Sequence, residues 1–261
     1  MKKILFLVIT LLLCVLSFAQ ERVFTKDNNY GFGTGFLCKD ALSYVIPAID
    51  IPSARPSMRD SLFYLKGLQI RKENKERVLK AAQDAVWNIE IISSFSDAVG
   101  IELSADNTPE LWYLLSEAIQ DTDHLIVAIK SKYFRQRPYI RWNEPDDGVA
   151  DRSRLAETSS SPSGHSGLAA TIMSILLEIY PSRAADIIAR GKEFISARWI
   201  LGFHYISDCE LGAQIGGYVV NILHSNPSFL AQLDRAKKEA ALLSRKGHPC
   251  FTTLHNDSNN K

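Results

Sequence analysis

The sequence predicts an all-α helical bundle. Three observations carry this. From residue 73 onward, apolar residues recur at three- and four-residue steps, the period of one helix face. Prolines and capping residues punctuate these segments where helices start and stop. No stretch alternates apolar and polar residues in the two-residue period of a half-buried strand.

Taken in order, the chain opens on a targeting signal. Lys2-Lys3 form a positive start, Ile4 to Val15 is unbroken apolar sequence, and Ser17-Phe18-Ala19 places small residues where a signal peptidase reads. Cleavage after Ala19 is expected. The apolar stretch is too short to span a bilayer comfortably. Leu13 before Cys14 disfavours a lipoprotein. Residues 20 to about 60 read as irregular. Tyr30-Gly31-Phe32-Gly33-Thr34-Gly35 has the look of a phosphate loop, but no strand-then-helix pattern brackets it, so a flexible loop is expected. Pro47, Pro52 and Pro56 mark an extended segment.

Glu73 to Phe95 places Val78, Leu79, Ala82, Val86, Ile89 and Ile92 on one helix face. Thr108-Pro109-Glu110 is a helix start, and the helix runs to about Lys132. Residues 139 to 161 read as a long loop. Further helices are expected from near Ser163 to before Pro181, from Ser182 to Leu201, from Asp208 to Leu223 and from Pro227 to Ser244. The tail, residues 247–261, is polar and expected to be disordered. The organisation is therefore a signal peptide over 1–19, one domain over 20–246 and the tail.

The chain has 261 residues, 46% of them apolar, which suffices for one well-cored domain or two small ones. Its formal net charge of +1 excludes a global drive toward nucleic acid or a membrane surface. No later stretch reaches spanning length without charges, so a soluble exported protein, periplasmic or secreted, is expected. After the signal, Cys38, Cys209 and Cys250 remain. The count is odd, so at most one internal disulfide is allowed, and the spacing shows no metal-ligand pattern.

The chemistry lies in three segments: Lys130-x6-Arg137-Pro138, then Pro162-Ser163-Gly164-His165, then Arg198-x5-His204-x3-Asp208. A phosphate-like ligand carries about two negative charges on oxygens that accept forked donors, and arginine supplies the fork. One histidine can attack phosphorus and the other can protonate the leaving oxygen. Each segment alone has a plainer reading: a solvated charge run, an ordinary capped helix with a buried His165, a core histidine followed by a capping aspartate. Together they point to phosphoryl transfer without a metal or other cofactor. Ser163 caps the following helix, so its N–H and that of Gly164 are expected to face an anion. Asp208, four residues after His204, reaches the ring if the intervening backbone is helical. Which histidine attacks is left open by the residues themselves. His124, His224, His248 and His255 have no such company.

These segments resemble the signature of the phosphatidic acid phosphatase type 2 superfamily, K-x6-RP, PSGH and SR-x5-H-x3-D. Within it the chain is similar to the bacterial class A non-specific acid phosphatases, over most of its mature length. The Pro-rich approach at 47–56, Asp60-Ser61, the run Lys130 to Pro138, Gly202 to Asp208 and His224-Ser225-Asn226-Pro227 all fit. The resemblance implies a helical bundle of the acid phosphatase/vanadium haloperoxidase type. It implies that Lys130, Arg137 and Arg198 bind the phosphate oxygens and that Ser163 and Gly164 donate to them. It further implies that His204 attacks phosphorus, oriented by Asp208, while His165 protonates the leaving alcohol and later activates water. The substrates implied are small phosphomonoesters, and a homo-oligomer is compatible. A vanadate haloperoxidase using the same anion pocket is the alternative. A non-catalytic phosphate binder would need the cations but neither histidine. One position departs from the pattern: Ala197 stands where the family usually has serine before Arg198, which puts only a secondary contact in doubt.

Overall fold

The structure is a computed structural model that describes residues 30–38, 42, 44, 46–85, 87–144 and 155–245. The signal peptide, Cys14, Cys250 and the polar tail lie outside the described residues. Among those described there is no strand, and the chain is an all-α bundle.

Helix α1, Met58–Glu73, starts at a reciprocal cap. Ser57 Oγ accepts from the Asp60 N–H at 3.1 Å, and the Asp60 carboxylate accepts from the Ser57 N–H at 3.0 Å. The periodicity reading misses α1 because its buried face is Asp60, Tyr64 and Gly67. Its apolar residues Met58 and Leu62 are 82% and 59% exposed, and only Phe63 and Ile70 pack against the smaller apolar cluster, so the inward stripe is weak. Asn74 ends α1 and caps α2, Lys75–Gln83, through Oδ1 on the Arg77 N–H.

The continuous helix expected over 73–95 breaks after Gln83. Buried Asp84 leaves the helical line to pair with Arg190 at 2.5 Å. Two 3-10 turns follow, Ile89–Ile91 and Ser93–Phe95, then a single turn of helix, α3, Ser96–Val99. Of the apolar residues that suggested one face, Ile92 is fully buried and Ile89 packs against the core, whereas Leu79 is 67% exposed.

From residue 109 the expectations and the elements agree closely. Helix α4 is Pro109–Lys132, with proline in its first turn, and α5, Pro138–Arg141, is a short helix inside the segment read as loop. Helices α6, Gly164–Ile179, α7, Ala184–Ile200, α8, Ile206–Leu223, and α9, Pro227–Arg245, complete the bundle. Helix α6 is its hub. Leu168, Ala169, Ile172, Ile175 and Leu176 are fully or almost fully buried, and the helix packs on α4, α7, α8 and α9. A smaller apolar cluster of Ala81, Tyr139, Trp199, Leu201, Phe203 and Ile206 sits beside α1 and α2.

The glycine-rich segment is not a free loop. The N–H groups of Thr34 and Gly35 donate to the Glu117 carboxylate at 2.8 and 2.7 Å, and those of Phe36 and Leu37 donate to Asp121 at 2.9 and 3.1 Å. Two carboxylates four residues apart on α4 thus hold four successive amides. Burial pushes Asp121 up to about 7, against the pull of those amides. The pinned segment delivers Tyr30 to the central cavity. Cys38 is exposed and Cys209 buried, both as thiols. No helix among the described residues is long and apolar enough to cross a membrane.

Candidate active site

A cavity of about 630 Å³ opens between α4, α6, α7 and the turn before α8. Its charged floor comes from three places. Lys130 lies in the last turn of α4. Arg137 sits at the entrance to α5, fixed by Pro138 behind it. Arg198 lies in the last turn of α7. No carboxylate pairs with any of these three among the described residues. The Lys130 ammonium donates to the Ser159 carbonyl at 2.5 Å. Arg137 donates to the carbonyls of Leu155, Phe203, Thr158 and Ser159. The segment 155–160 therefore holds Lys130 and Arg137 on backbone carbonyls, which orient them without neutralising them.

Arg198 is the most telling. It is 3% exposed, yet Nε and Nη1 find no hydrogen-bond partner among the described residues. A buried guanidinium is stable only with acceptors, so these two N–H groups call for an anion. Burial and the neighbouring Arg137 pull Arg198 down to about 10. Burial likewise takes Arg137 to about 10 and, with Arg137 beside it, Lys130 to about 7.

His204 faces this floor in one tautomer. Its Nδ1 lies 2.6 Å from the Ser160 carbonyl oxygen, an acceptor only, so Nδ1 carries the proton. Nε2 then holds the lone pair and accepts from Arg137 at 3.2 Å. Burial, then the charges of Arg137, Lys130 and Arg198, hold the ring well below the ordinary histidine range. The ring is therefore neutral, with its Nε2 lone pair turned toward the cations.

The expected contact between Asp208 and the ring is corrected. Helix α8 begins only at Ile206, and Tyr205 is extended (φ −72°, ψ 160°), so residues 204 and 208 do not share a helical face. Asp208 instead accepts from the Tyr205 N–H at 2.9 Å, from Ser160 Oγ at 2.5 Å and from Arg135. It acts on His204 at one remove, by holding the residue whose carbonyl orients the ring.

Ser163 caps α6 as expected, but its N–H does not face the cavity. Its N–H donates to the Asp208 carbonyl at 2.9 Å, its Oγ accepts from Ser166, and it does not line the cavity. The reason is the close packing of α8 on the start of α6. Gly164 and His165, the first residues of α6, do line the cavity and bring the positive end of the helix to it. A side chain at Gly164 would come within 2.7 Å of the Trp87 ring, so glycine alone permits that approach. His165 lies against Trp87, with ring centroids 4.7 Å apart, and its Nε2 is 3.1 Å from the Ala85 carbonyl. That carbonyl is available because the chain left the helix at Asp84. Ala197 is fully buried in the small apolar cluster and lines no part of the cavity.

Sequence reading missed Arg135 as a functional group. It pairs with Asp60 at 2.9 Å and with Asp208, and lies 4.2 Å over the Tyr205 ring. In the sequence it is one cation of four between 130 and 137, with nothing to single it out. Ser160 gives no local signal either, since its role is that of a carbonyl.

Residues 109–230 match the PAP2 superfamily. A non-specific acid phosphatase of Providencia stuartii is 33% identical over 79% of this chain and 83% of the relative. One of Salmonella typhimurium is 32% identical over 78% and 82%. An acid phosphatase of Zymomonas mobilis is 28% identical over 64% of each chain. The chain belongs to the bacterial non-specific acid phosphatases of the PAP2 superfamily. Its three signature segments fall inside the matched region, and all three supply side chains to the one cavity. The haloperoxidase alternative gains no support from these relatives.

Proposed function

We propose that the protein is an exported acid phosphatase that hydrolyses phosphomonoesters through a phosphohistidine on His204, with no metal ion in the reaction. The observation that carries this reading is the floor of three cations, with no carboxylate paired to them among the described residues, and the lone pair of His204 Nε2 turned onto it. Lys130, Arg137 and Arg198 supply the charge neutralisation that phosphoryl transfer needs as charge builds on the equatorial oxygens. Gly164 adds an amide at the helix start. Among the described residues, no group of three His, Cys, Asp or Glu is placed to hold a metal ion.

In the first step Nε2 of His204 attacks phosphorus. The P–N bond forms, the bond to the alcohol oxygen breaks, and His165 gives that oxygen a proton. The Ser160 carbonyl stabilises the charge gained by the His204 ring, and the Asp208–Arg135–Asp60 network keeps Ser160 in place. In the second step His165 takes a proton from water, the oxygen attacks phosphorus, and the P–N bond breaks to release orthophosphate.

The test is hydrolysis of p-nitrophenyl phosphate with EDTA present, followed by rapid quenching with labelled substrate. Full activity in EDTA and an acid-labile, base-stable phosphoprotein absent from His204→Ala are expected. Activity lost to EDTA and restored by a divalent ion would overturn the metal-free reading, and an adduct persisting in His204→Ala would overturn the nucleophile.

A further inference from the structure

The cavity carries one carboxylate among its described lining residues, Asp123, and the reaction above gives it no work. It stands on α4 seven residues before Lys130, two turns back on the same face, which is about 10 Å along the axis. Ile126 and Val127 lie between them on that wall. Asp123 and Lys130 influence each other's charge but do not meet as an ion pair. No hydrogen bond or ion pair ties Asp123 to another described residue. Asp123 is half-buried, and that burial pushes it up to about 6. A carboxylate on the cavity wall with no donor among the described residues is open to a donor that a ligand brings.

The phosphoryl group has its place fixed at the cations and His204. Repulsion keeps a second anion away from Asp123, so the phosphoryl group does not sit there. The other half of the ester, the alcohol, is then the part that can reach Asp123, in a cavity also lined by Tyr30, Trp87 and His165. We propose that Asp123 reads the leaving group, favouring phosphomonoesters whose alcohol carries an ammonium or a hydroxyl donor and disfavouring those that carry a second anion. This rests on the phosphatase reading of the site.

The experiment compares three small esters with one another: O-phosphoethanolamine, ethyl phosphate and phosphoglycolate. The readout is the ratio of kcat/KM for each charged ester to that for ethyl phosphate, in wild type, Asp123→Asn and Asp123→Ala. Each ratio is internal to one preparation, so partial loss of folded protein cancels. In both variants the phosphoethanolamine ratio should fall by about tenfold, the size of one charge-assisted contact, and the phosphoglycolate ratio should rise. Ratios within about twofold of wild type in both variants, or all three esters falling by one common factor, overturn the inference alone. A wild-type protein that hydrolyses none of the three overturns the phosphatase reading and this inference with it.

Discussion

Ser160 shows how a residue that enters the proposed reaction only through its backbone sets the state of the proposed nucleophile, His204. Its carbonyl fixes the His204 tautomer, and its hydroxyl donates to Asp208 at 2.5 Å. If Asp208 touched the ring directly, Ser160→Ala would leave activity unchanged. In the arrangement found, losing that hydroxyl lets the carbonyl drift, and kcat should fall on the order of tenfold with KM little altered, because misplacement of a reacting group is felt in the chemical step. Steady-state kinetics on p-nitrophenyl phosphate decide between these. Asp208 has a second consequence. It is fully buried and paired with Arg135, which is 3% exposed. Breaking such a pair leaves an uncompensated charge, so Asp208→Asn should destabilise the protein by about 3 kcal/mol, near the low end for buried pairs because Asp60 still holds Arg135. Urea denaturation measures it, and an unchanged midpoint would mean that Asp60 alone suffices.

The elements show what the residues cannot. The long helices α4, α6, α7, α8 and α9 were legible because each buries a face wide enough to imprint its period on the sequence. The break at Asp84 was not, because the partner that pulls the chain aside, Arg190, lies over a hundred residues away. The same break exposes the Ala85 carbonyl to His165 and turns Trp87 into the cavity, so a fold error in the sequence reading was also a site error. The signature residues Lys130, Arg137, Gly164, His165, Arg198 and His204 were legible as a set and do line one cavity. Ser163 and Asp208 were misread for one reason: spacing locates a residue on the chain, whereas the entry into α8 decides where it faces. The glycine segment was read as loose because its anchors, Glu117 and Asp121, look like solvated charges on a helix. They give a test at this scale. Gly35 has φ +95°, and a side chain there would collide with the Asp121 carboxylate. Gly35→Ala should therefore cost about 1–3 kcal/mol and disturb the placement of Tyr30. Gly217, inside α8, would present its new side chain to open space, so Gly217→Ala should stabilise by about 0.5–1 kcal/mol. Opposite signs in thermal melts of the two variants would separate a built loop from generic glycine replacement.

At the scale of the whole molecule, folding assembles three cations that sequence keeps far apart, and it does so against their own preference. Lys130 falls from 10.5 to about 7, and Arg137 and Arg198 from 12.5 to about 10. Between about pH 7 and 10.5 the unfolded chain therefore holds a proton on Lys130 that the folded chain has lost. A group that binds more protons when unfolded makes stability rise with pH, so the ligand-free protein is strained by Lys130 most fully below about pH 7. A bound dianion reverses this, because it restores the charged lysine. Sulfate is the suitable probe, since it does not itself titrate in this range. At about 100 times its dissociation constant at pH 6, sulfate adds about 2.7 kcal/mol, which for a chain of this size raises Tm by about 5–10 °C. The same sulfate concentration at pH 9 should give a clearly smaller shift, since binding there must first charge Lys130. Calorimetry at pH 7.5 in two buffers of different ionisation enthalpy should show net proton uptake on binding, and Lys130→Met should remove both the uptake and the pH dependence. Equal shifts at pH 6 and 9 in the wild-type protein would mean that the cavity does not hold Lys130 near neutrality, and the acid preference of the enzyme would then have to come from the histidines alone.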